Sequence, residues 1–479
     1  MMKIEHVKPH ISIFTSEQME LVHRNSIHIL KNTGIKTSSL KALNIFKKSG
    51  DVITHDDKVK MSDDIVRWAI EKCPKSIQIY DRAGNARFNL GGADINQPVF
   101  GIGCTNLNYQ NPEDETVEPF SLKHMTIGSR LGNKLDSYQV ISTIGVLHDV
   151  EQSKADLYGT LEMYANTEKP LIILVSDEMQ FNNVIKLLEH LHGNLNKYPF
   201  LIPYFNPVTP LILNEGTVDK MILSIEKGLP IIYSNYSMYG ATSPIEPASS
   251  LALLNAELLA GLVFSQLIRE GTPVILGTLP AAFDMQMMGS TYTPNSFLLN
   301  LACAEMMAFY KIPHCGASGS GIGWGADLLA SANLWINHLT SCLGKTGLVP
   351  FVGGNFDSLA FSPLLVVYSD YVIRRALSFS KGFSLAKHSF GLKEIGMTGA
   401  GGNFMTSEST LNSYMKDIDP NEIWPNFSLE SWENANQPKA IDYLRKHTIE
   451  IINNLPAPSN YQQIKSAGEE FIRNIKSNY

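Results

Sequence analysis

Short apolar runs alternate with helix-like stretches along most of the chain, beginning near residue 96. Each run ends at or just before Gly, Pro, Asn or Ser. The stretches that follow have apolar residues at three- and four-residue spacings, which is the period of a helix. The eight predicted strands are Val99–Gly103, Tyr138–Ile144, Leu171–Val175, Leu201–Phe205, Ile231–Asn235, Val274–Gly277, Ile312–Gly316 and Leu348–Gly353. The predicted helices between them include Val218–Lys227, Ser250–Arg269, Ser296–Tyr310 and Leu328–Leu343.

This alternation predicts an α/β fold with parallel strands joined by right-handed crossovers. Eight strand–helix units over about 260 residues have the size of a TIM (β/α)8 barrel. A doubly wound open sheet shows the same alternation, so it remains an alternative. It is also undecided which segment forms the eighth strand, because the glycine-rich segment Gly399–Phe404 is an alternative to Val99–Gly103.

The chain outside this region has a different pattern. Residues 1–95 predict an N-terminal helical cap with a small β element: helices over Glu17–Leu30 and Ser62–Lys72, and a hairpin around Gly84-Asn85. We assign 96–404 to the barrel domain. Residues 405–479 predict a C-terminal helical tail that packs on the body or on a partner.

Composition excludes several classes of protein. Of 479 residues, 44% are apolar and 18% charged, which allows a large core and indicates no disorder. Acidic residues outnumber basic ones by 46 to 39, and no basic patch appears, so we expect no nucleic-acid partner.

Cysteines and targeting signals bear on the compartment. The five cysteines form no CxxC pair and their number is odd, which favours a reducing cytoplasm over a disulfide scaffold. The first twenty residues lack the apolar stretch of a signal peptide. The apolar run Leu251–Ile268 carries Asn255, Glu257 and Gln266, so we expect a buried helix, covered by the barrel or by a second subunit, and no membrane span. We therefore expect a homo-oligomer in the cytoplasm.

In a barrel, function lies in the segments that follow the strands, and here these are poor in Lys, Arg and His. No lysine stands at a strand end for a Schiff-base aldolase. Gly321–Ala326 fits the loose GxGxxA pattern, but no acidic residue stands about twenty residues later, so we expect no NAD. His338 and Cys342 could form half of a zinc site, yet such a pair more often lies in helix packing, and we predict no zinc.

Aromatic residues stand at or after the ends of several predicted strands. A quaternary ammonium group has no proton to donate, so proteins hold it against aromatic faces, each worth about 0.5–2 kcal/mol when desolvated. The candidates for such a box are Tyr109, Phe205, Tyr236, Tyr239, Phe283, Trp324 and Phe356. Any one of them alone is more often a core or lid residue.

Several motifs resemble the trimethylamine methyltransferase superfamily. They are Gly240-Ala241-Thr242-Ser243-Pro244, Asn255–Ala260 with Gln266, Gly271–Gly277, Asn206-Pro207 with Thr209-Pro210-Leu211, and Gly401-Gly402-Asn403-Phe404. The resemblance covers about residues 10–455, and the 240–277 stretch is its specific part. The sequence contains no pyrrolysine, which the archetype uses, and the loop Ser318–Gly325 with Trp324 is most similar to the glycine betaine branch.

The resemblance implies a TIM barrel that passes a methyl group from a quaternary amine, first of all glycine betaine, to Co(I) of a separate corrinoid-binding protein. Proline betaine and carnitine are alternatives. A betaine also carries a carboxylate, and the candidates to hold it are Asn206, Asn235, His314, Ser318, Ser320 and backbone N–H groups of the glycine-rich loop. Asn355 is a further candidate for substrate binding. Two other classes stay open: a betaine-binding sensor, and a lyase using Asp284 and Asp357 as acid and base.

Overall fold

The fold is built around a closed barrel of eight parallel strands. The computed structural model describes residues 6–92, 97–103, 105–175, 177–316, 319, 321–417 and 423–475. The barrel strands are β1 (Val99–Ile102), β2 (Tyr138–Ser142), β3 (Leu171–Ile173), β4 (Leu201–Phe205), β5 (Ile231–Tyr239), β6 (Val274–Asp284), β7 (His314–Gly316) and β8 (Leu348–Val352). Each pairs with its neighbours in chain order, and β8 closes the barrel on β1 through Leu348 and Val99.

A helix follows each strand and packs outside the barrel. These helices are α1 (Leu122–Lys134), α2 (Ala155–Asn166), α3 (Glu178–His192), α4 (Glu215–Glu226), α5 (Pro247–Ile268), α6 (Pro294–Tyr310), α7 (Leu328–Leu343) and α8 (Pro363–Lys381). Several begin at residues that accept a hydrogen bond from the first turn, as Asp177 does from Gln180 N and Asp327 from Ala330 N. Because the strands are covered on both faces, they read as continuous apolar runs.

All eight predicted strands are confirmed, and so is the TIM barrel. The doubly wound alternative is wrong because the sheet closes on itself. The eighth strand is Val99–Ile102, which pairs with both β2 and β8. Gly399–Phe404 follows a short helix, Leu392–Thr398, and is not part of the barrel.

The N-terminal residues form helices and small sheets. The helices are Ser16–Asn32, Leu40–Lys47 and Asp63–Lys72, and the strands are His6–Val7, Ile35–Lys36, Val52–His55, Lys58–Met61, Ser76–Tyr80 and Ala86–Gly91. The last two form the predicted hairpin. Its Ile77, Ile79 and Leu90 pack into the same cluster as the interior barrel residues, and Tyr80 N donates to Pro199 O just before β4. The hairpin therefore closes the N-terminal end of the barrel.

Helix α5 is apolar all round and lies between the barrel and the N-terminal helices. Among the described residues it is the one helix long and apolar enough to cross a membrane, but 83% of its most apolar window is buried inside the fold. Its Asn255 Nδ2 donates to Ser26 Oγ and to Tyr310 OH, both at 2.9 Å. The chain itself thus covers α5, and this helix gives no reason to expect a second subunit.

Further short elements lie in the loops and in the C-terminal residues. The loop strands are Asn108–Gln110, Val117–Pro119, Gly289–Thr291, Gly354–Asn355, Ala360–Phe361 and Phe383–Ser384, and two 3-10 turns span Gln152–Lys154 and Lys387–Phe390. The C-terminal helices are Leu392–Thr398, Glu408–Asp417, Leu429–Asn434, Ala440–Asn453 and Tyr461–Asn474. The domain boundaries at 95/96 and 404/405 stay predictions.

Candidate active site at the C-terminal mouth of the barrel

Apolar side chains fill the lower barrel and leave its C-terminal end to larger, partly exposed groups. The filling layer consists of Val140, Ile172, Ile202, Ile232, Ile275, Cys315 and Leu348. One step nearer to the C-terminal end, Tyr204 and Phe351 meet edge to face with ring centroids 5.2 Å apart. These two rings form the floor of the barrel mouth, the space enclosed by the C-terminal strand ends.

Strands β5 and β6 extend past the other strands and form one wall of the mouth. Their pairing continues from Ile231–Val274 to Tyr239–Ala282. After β6 the chain turns back as Gly289–Thr291, antiparallel to the end of β6. The turn exposes Met285, Met287 and Met288, each about three-quarters accessible.

Alternation along β5 and β6 decides which predicted residues face the mouth. Tyr236 lies on the same side of β5 as the interior residue Ile232, and Phe283 lies on the same side of β6 as Ile275. Tyr236 is 37% exposed and Phe283 is half-buried. These two predicted aromatics therefore face the mouth with accessible ring surface.

Phe356 stands on a turn with an unusual backbone. Phe356, Asp357 and Ser358 have φ of 49°, 54° and 65°, the left-handed region that non-glycine residues rarely adopt. The glycine-rich loop after β7 holds this turn, because Phe356 N donates to Gly323 O at 3.1 Å and Asp357 N to Gly321 O at 2.9 Å. Strained turns that are fixed in this way are common at functional sites.

The side chain of Asp357 ties the same turn to the β6 hairpin. Its Oδ1 accepts from Tyr292 OH at 2.6 Å, and its Oδ2 accepts from Ser290 Oγ. Burial raises the pKa of Asp357 above its ordinary value. Asp284 accepts from Gln286 N and Met287 N within the hairpin turn. Both acids proposed for a lyase thus stabilise loops.

Two other predicted residues lie at the rim of the mouth. Asn206 directly follows β4 and is half-buried, and its Nδ2 donates to Ser234 O at 2.7 Å. Trp324 is 69% exposed on the loop after β7, where its carbonyl accepts from Gln110 Nε2. Ser318 and Ser320 lie outside the described residues.

The structure places three predicted residues on the outer side of the barrel strands. Asn235 is fully buried and donates to Leu254 O and to Glu257 Oε2 on α5. Tyr239 is bonded to Thr293 and Ser296 at the start of α6. Phe205 packs edge to face on Phe181 of α3, with centroids 5.8 Å apart. They stabilise the packing of helices on strands.

His314 faces the helices as well. It is 2% exposed, its Nδ1 accepts from Gly347 N at 3.4 Å, and burial lowers its pKa to about 3. A neutral imidazole behind β7 is poorly placed to bind a carboxylate in the mouth.

Tyr109 and Asn355 belong to the small sheet formed by the loops of β1 and β8. The Tyr109 ring stacks on His124 at 3.9 Å and is 4% exposed. Asn355 Nδ2 donates to Gln110 Oε1 at 2.9 Å, and its buried Oδ1 has no hydrogen-bond partner among the described residues. This sheet anchors the mouth loops.

Sequence reasoning missed the floor of the mouth and the frame behind it. Tyr204 stands two residues before Asn206 on the same side of the strand, and this spacing was a usable signal. Glu257 accepts from Leu211 N at 2.5 Å, Thr209 Oγ1 at 2.9 Å and Asn235 Nδ2 at 2.8 Å. It thus fixes the loop after β4 to α5 and β5.

The two ends of the barrel carry opposite charge. The eight segments from each strand to the next helix contain ten acidic residues, one lysine and no arginine, and that Lys154 pairs with Glu151 at 3.3 Å. The seven segments from each helix to the next strand contain six basic and three acidic residues. Helix dipoles favour this arrangement, since the helices start at the mouth. An acidic, aromatic mouth suits a cation.

Potential metal ligands near this site were compared among the described residues. Within the part of the chain that the structure describes, no three His, Cys, Asp or Glu side chains are grouped to hold a metal ion. His338 packs edge to face on Phe100 at 5.5 Å, and Cys342 is a buried free thiol. The expected absence of zinc stays a prediction.

Comparison with known proteins agrees with the fold and with the resemblance. The profile of the family "Trimethylamine methyltransferase (MTTB)" matches residues 1–479. Trimethylamine methyltransferase MttB of Desulfitobacterium hafniense is 22% identical over 97% of this chain and 94% of its own. Glycine betaine methyltransferase of the same species is also 22% identical, over 88% of this chain and 89% of its own.

Among solved structures, the monomethylamine methyltransferase MtmB of Methanosarcina barkeri is similar. The TM-score is 0.55 at 10% identity, covering 94% of this chain and 89% of that chain. At this identity the likeness concerns the fold alone.

Proposed function

The chain belongs to the trimethylamine methyltransferase (MTTB) family of methyltransferases, and from this premise we propose that it moves a methyl group from a quaternary amine to Co(I) of a corrinoid-binding protein. The corrinoid is the second substrate, which a partner protein brings to the mouth. In this proposal the reaction takes place in the cytoplasm.

The charge and composition of the mouth carry the proposal. Ring faces of Tyr236 and Phe283 are accessible there, and nearly all charged residues in the surrounding loops are acidic. Ring faces attract a cation that cannot donate a hydrogen bond, and the acidic loops raise its local concentration. Phosphate or other dianionic substrates are disfavoured by the same charge.

The chemistry asks the protein mainly for positioning. The methyl carbon–nitrogen bond breaks with its electron pair going to nitrogen, while an electron pair of Co(I) forms the new cobalt–carbon bond. The amine leaves as a neutral tertiary amine, so the step consumes no proton. Holding the methyl carbon in line with the incoming cobalt removes a large part of the activation barrier. The rings would fix the nitrogen, and the open mouth would admit the cobalt.

Glycine betaine is the first substrate to test, because the Trp324 loop is most similar to that branch. No lysine or arginine stands in the mouth segments except Lys154. A betaine carboxylate would therefore be held by neutral donors such as backbone N–H groups of the glycine-rich loop. Proline betaine and carnitine are alternatives that differ in the distance from nitrogen to carboxylate.

The test is methyl transfer to free cob(I)alamin with purified protein. Glycine betaine, proline betaine, carnitine and trimethylamine are compared, and methylcobalamin is followed by its absorption spectrum. We expect methylcobalamin and one equivalent of tertiary amine from at least one quaternary substrate. Folded protein that yields none from any quaternary amine would contradict the proposal.

An analogue with an uncharged headgroup isolates the role of the ammonium charge. In 3,3-dimethylbutyrate a carbon atom replaces the nitrogen of glycine betaine, so shape is kept and the positive charge is lost. If the rings act by cation–π attraction, glycine betaine binds at least about 5-fold more tightly than this analogue. Equal affinity would show that the mouth does not select a cation.

A further inference from the structure

The backbone of Trp324 is fixed although its side chain lies in solvent. Trp324 N donates to Asp327 Oδ2 at 2.9 Å, and Trp324 O accepts from Gln110 Nε2 at 2.8 Å. The indole itself is 69% exposed at the rim of the mouth. A fixed backbone that carries a free aromatic side chain is the arrangement that holds a binding residue in place before its ligand arrives.

The next two residues of this loop lie against the carboxylate of Glu115. Glu115 stands in the turn between the loop strands Asn108–Gln110 and Val117–Pro119, and its side chain is 26% exposed. Its Oε2 accepts from Ala326 N at 2.9 Å. A β-carbon on Gly325 would overlap the same oxygen. The loop therefore rests directly on this carboxylate, and a side chain at residue 325 would displace it.

The backbone of Glu115 is in a conformation that a residue with a β-carbon rarely adopts. Its φ is 62°, in the left-handed region, where glycine or asparagine would cost less. Glu115 N donates to Asn111 O at 2.8 Å and so closes the turn without any help from the side chain. The glutamate side chain is thus not needed for the turn itself, and its contacts elsewhere offset the backbone cost.

The other oxygen of the carboxylate binds a residue of the C-terminal helix Ala440–Asn453. Arg445 Nη2 donates to Glu115 Oε1 at 2.9 Å, and the Arg445 side chain is 28% exposed. Leu444 beside it is buried, so the helix that carries Arg445 is itself anchored on the body. Partly buried, charge-assisted bonds of this kind are stronger than bonds between neutral groups. One carboxylate thus joins the C-terminal helix to the backbone beside Trp324.

We propose that Glu115 and Arg445, here called the clamp, are positioning residues for the substrate. In this inference, which rests on the proposed function, Trp324 contacts the quaternary amine at the mouth, and the clamp keeps the indole where it can do so. If the loop were free, only a fraction of the molecules would present the indole correctly, and the apparent affinity would fall by that fraction. The clamp thereby gives the C-terminal helix a role in binding, although this helix lies outside the barrel.

The first measurement tests whether the clamp holds the loop, whatever the barrel binds. Hydrogen–deuterium exchange is followed by mass spectrometry in peptides that contain residues 323–327. Arg445→Ala and Glu115→Gly should each exchange there about 10-fold faster or more, because a charge-assisted bond to the loop is weakened or lost. The control, Lys446→Ala on the same helix, removes an exposed side chain that pairs with Glu450 at 4.0 Å, and it should exchange like the wild type. Unchanged exchange in both clamp variants would overturn the proposal.

The second measurement is the KM for the quaternary amine that yields methylcobalamin, with cob(I)alamin as acceptor. Both clamp variants should raise KM by about 3–10-fold and leave kcat within about 2-fold, whereas a loss of folded enzyme would lower kcat and leave KM unchanged. Glu115→Gly also relieves the left-handed turn, so it should fold as well as the wild type. In a Trp324→Leu background, Arg445→Ala should not raise KM further, because the clamp acts through the indole.

The two measurements separate this inference from the proposed function. Faster exchange with an unchanged KM, or a further rise of KM in the Trp324→Leu background, would overturn the positioning role and leave the proposed function intact. A wild type that transfers no methyl group from any quaternary amine would instead contradict the proposed function. The positioning role would then fall with it, even where the exchange results are as expected.

Discussion

The two faces of strand β5 have different tasks. On the outer face, Asn235 and Tyr239 are buried and bonded to residues of α5 and α6 or the turn before it. On the inner face, Ile232 fills the barrel and Tyr236 keeps accessible ring surface at the mouth. Residues one position apart therefore have different surroundings, and the proposed function assigns stability to the outer face and binding to the inner one.

The contrast explains where the family resemblance lies. Asn255, Glu257 and Gln266 of the most specific motif all lie on α5, where they bond to the N-terminal helix, to the loop after β4 and to the turn before β6. These residues preserve the frame of the barrel. In the proposed function, substrate choice would rest with mouth residues, which these motifs hardly include.

The largest effect is expected from the frame, at Glu257. Glu257→Ala removes a buried carboxylate, leaves Leu211 N and Thr209 Oγ1 without their acceptor, and leaves Asn235 Nδ2 with Leu254 O as its one remaining acceptor among these contacts. Unpaired buried donors are costly, so the free energy of unfolding should fall by about 3–5 kcal/mol in denaturant titration. The affinity of the remaining folded protein for a quaternary amine should change little.

The matched control is Glu246→Ala, in the exposed N-cap position of the same helix, where the side chain makes no capping bond. Its cost should stay within about 0.5 kcal/mol. If Glu257→Ala were as mild as this control, or abolished binding while the fold stayed intact, the division between frame and mouth would be wrong.

The same division sets how much the sequence could predict. Strand positions follow from local periodicity, so all eight strands were correctly located, but periodicity alone left open both the closure of the barrel and the place of Val99–Ile102 in it, which the strand pairings show. Facing was harder. In the prediction Asn235 was the last residue of a strand and Tyr239 lay in the loop after it. The strand β5 instead runs on to residue 239, and the contacts of both side chains show that they point outward.

Long-range contacts were beyond the sequence altogether. Nothing near Asp357 indicates that its partners are Ser290 and Tyr292, more than sixty residues away. The left-handed turn at residues 356–358 likewise contains no glycine from which it could be predicted. Pairings of this kind depend on which loops the closed barrel brings together.

An intermediate effect is expected at Asp156, a half-buried acid without the donors that Glu257 has. Burial and, to a smaller extent, the charge of Asp177 raise the pKa of Asp156 to about 6, although the positive charge of Lys220 acts in the opposite direction. The folded state therefore holds a proton that the unfolded state has already lost. Its contribution to the free energy of unfolding is complete below about pH 4 and is lost as pH rises through 6, by about 2–3 kcal/mol.

Asp156→Asn removes this titration. The difference in unfolding free energy between variant and wild type, measured from pH 4 to 7.5, should shift by about 2–3 kcal/mol in favour of the variant. Asp177→Asn keeps a residue type that can cap α3 and should move the wild-type transition to lower pH. A pH-independent difference for Asp156→Asn would show that this acid is not strained in the folded state.

The smallest effect in free energy is expected at the mouth. There a substitution should change substrate binding while the stability of the fold stays nearly the same. Tyr236→Leu and Phe283→Leu each remove one accessible ring, and the KM for the quaternary amine should rise by about 2–30-fold with cob(I)alamin as acceptor. The unfolding temperature should hardly change, because both side chains are only partly buried.

Tyr236→Phe keeps the ring and should restore the wild-type KM. Tyr239→Leu, on the outer face of the same strand, should lower the unfolding temperature and leave KM unaltered. If Tyr236→Leu and Tyr239→Leu affected KM alike, the two faces of β5 would not divide binding from stability, and the cation would be held elsewhere.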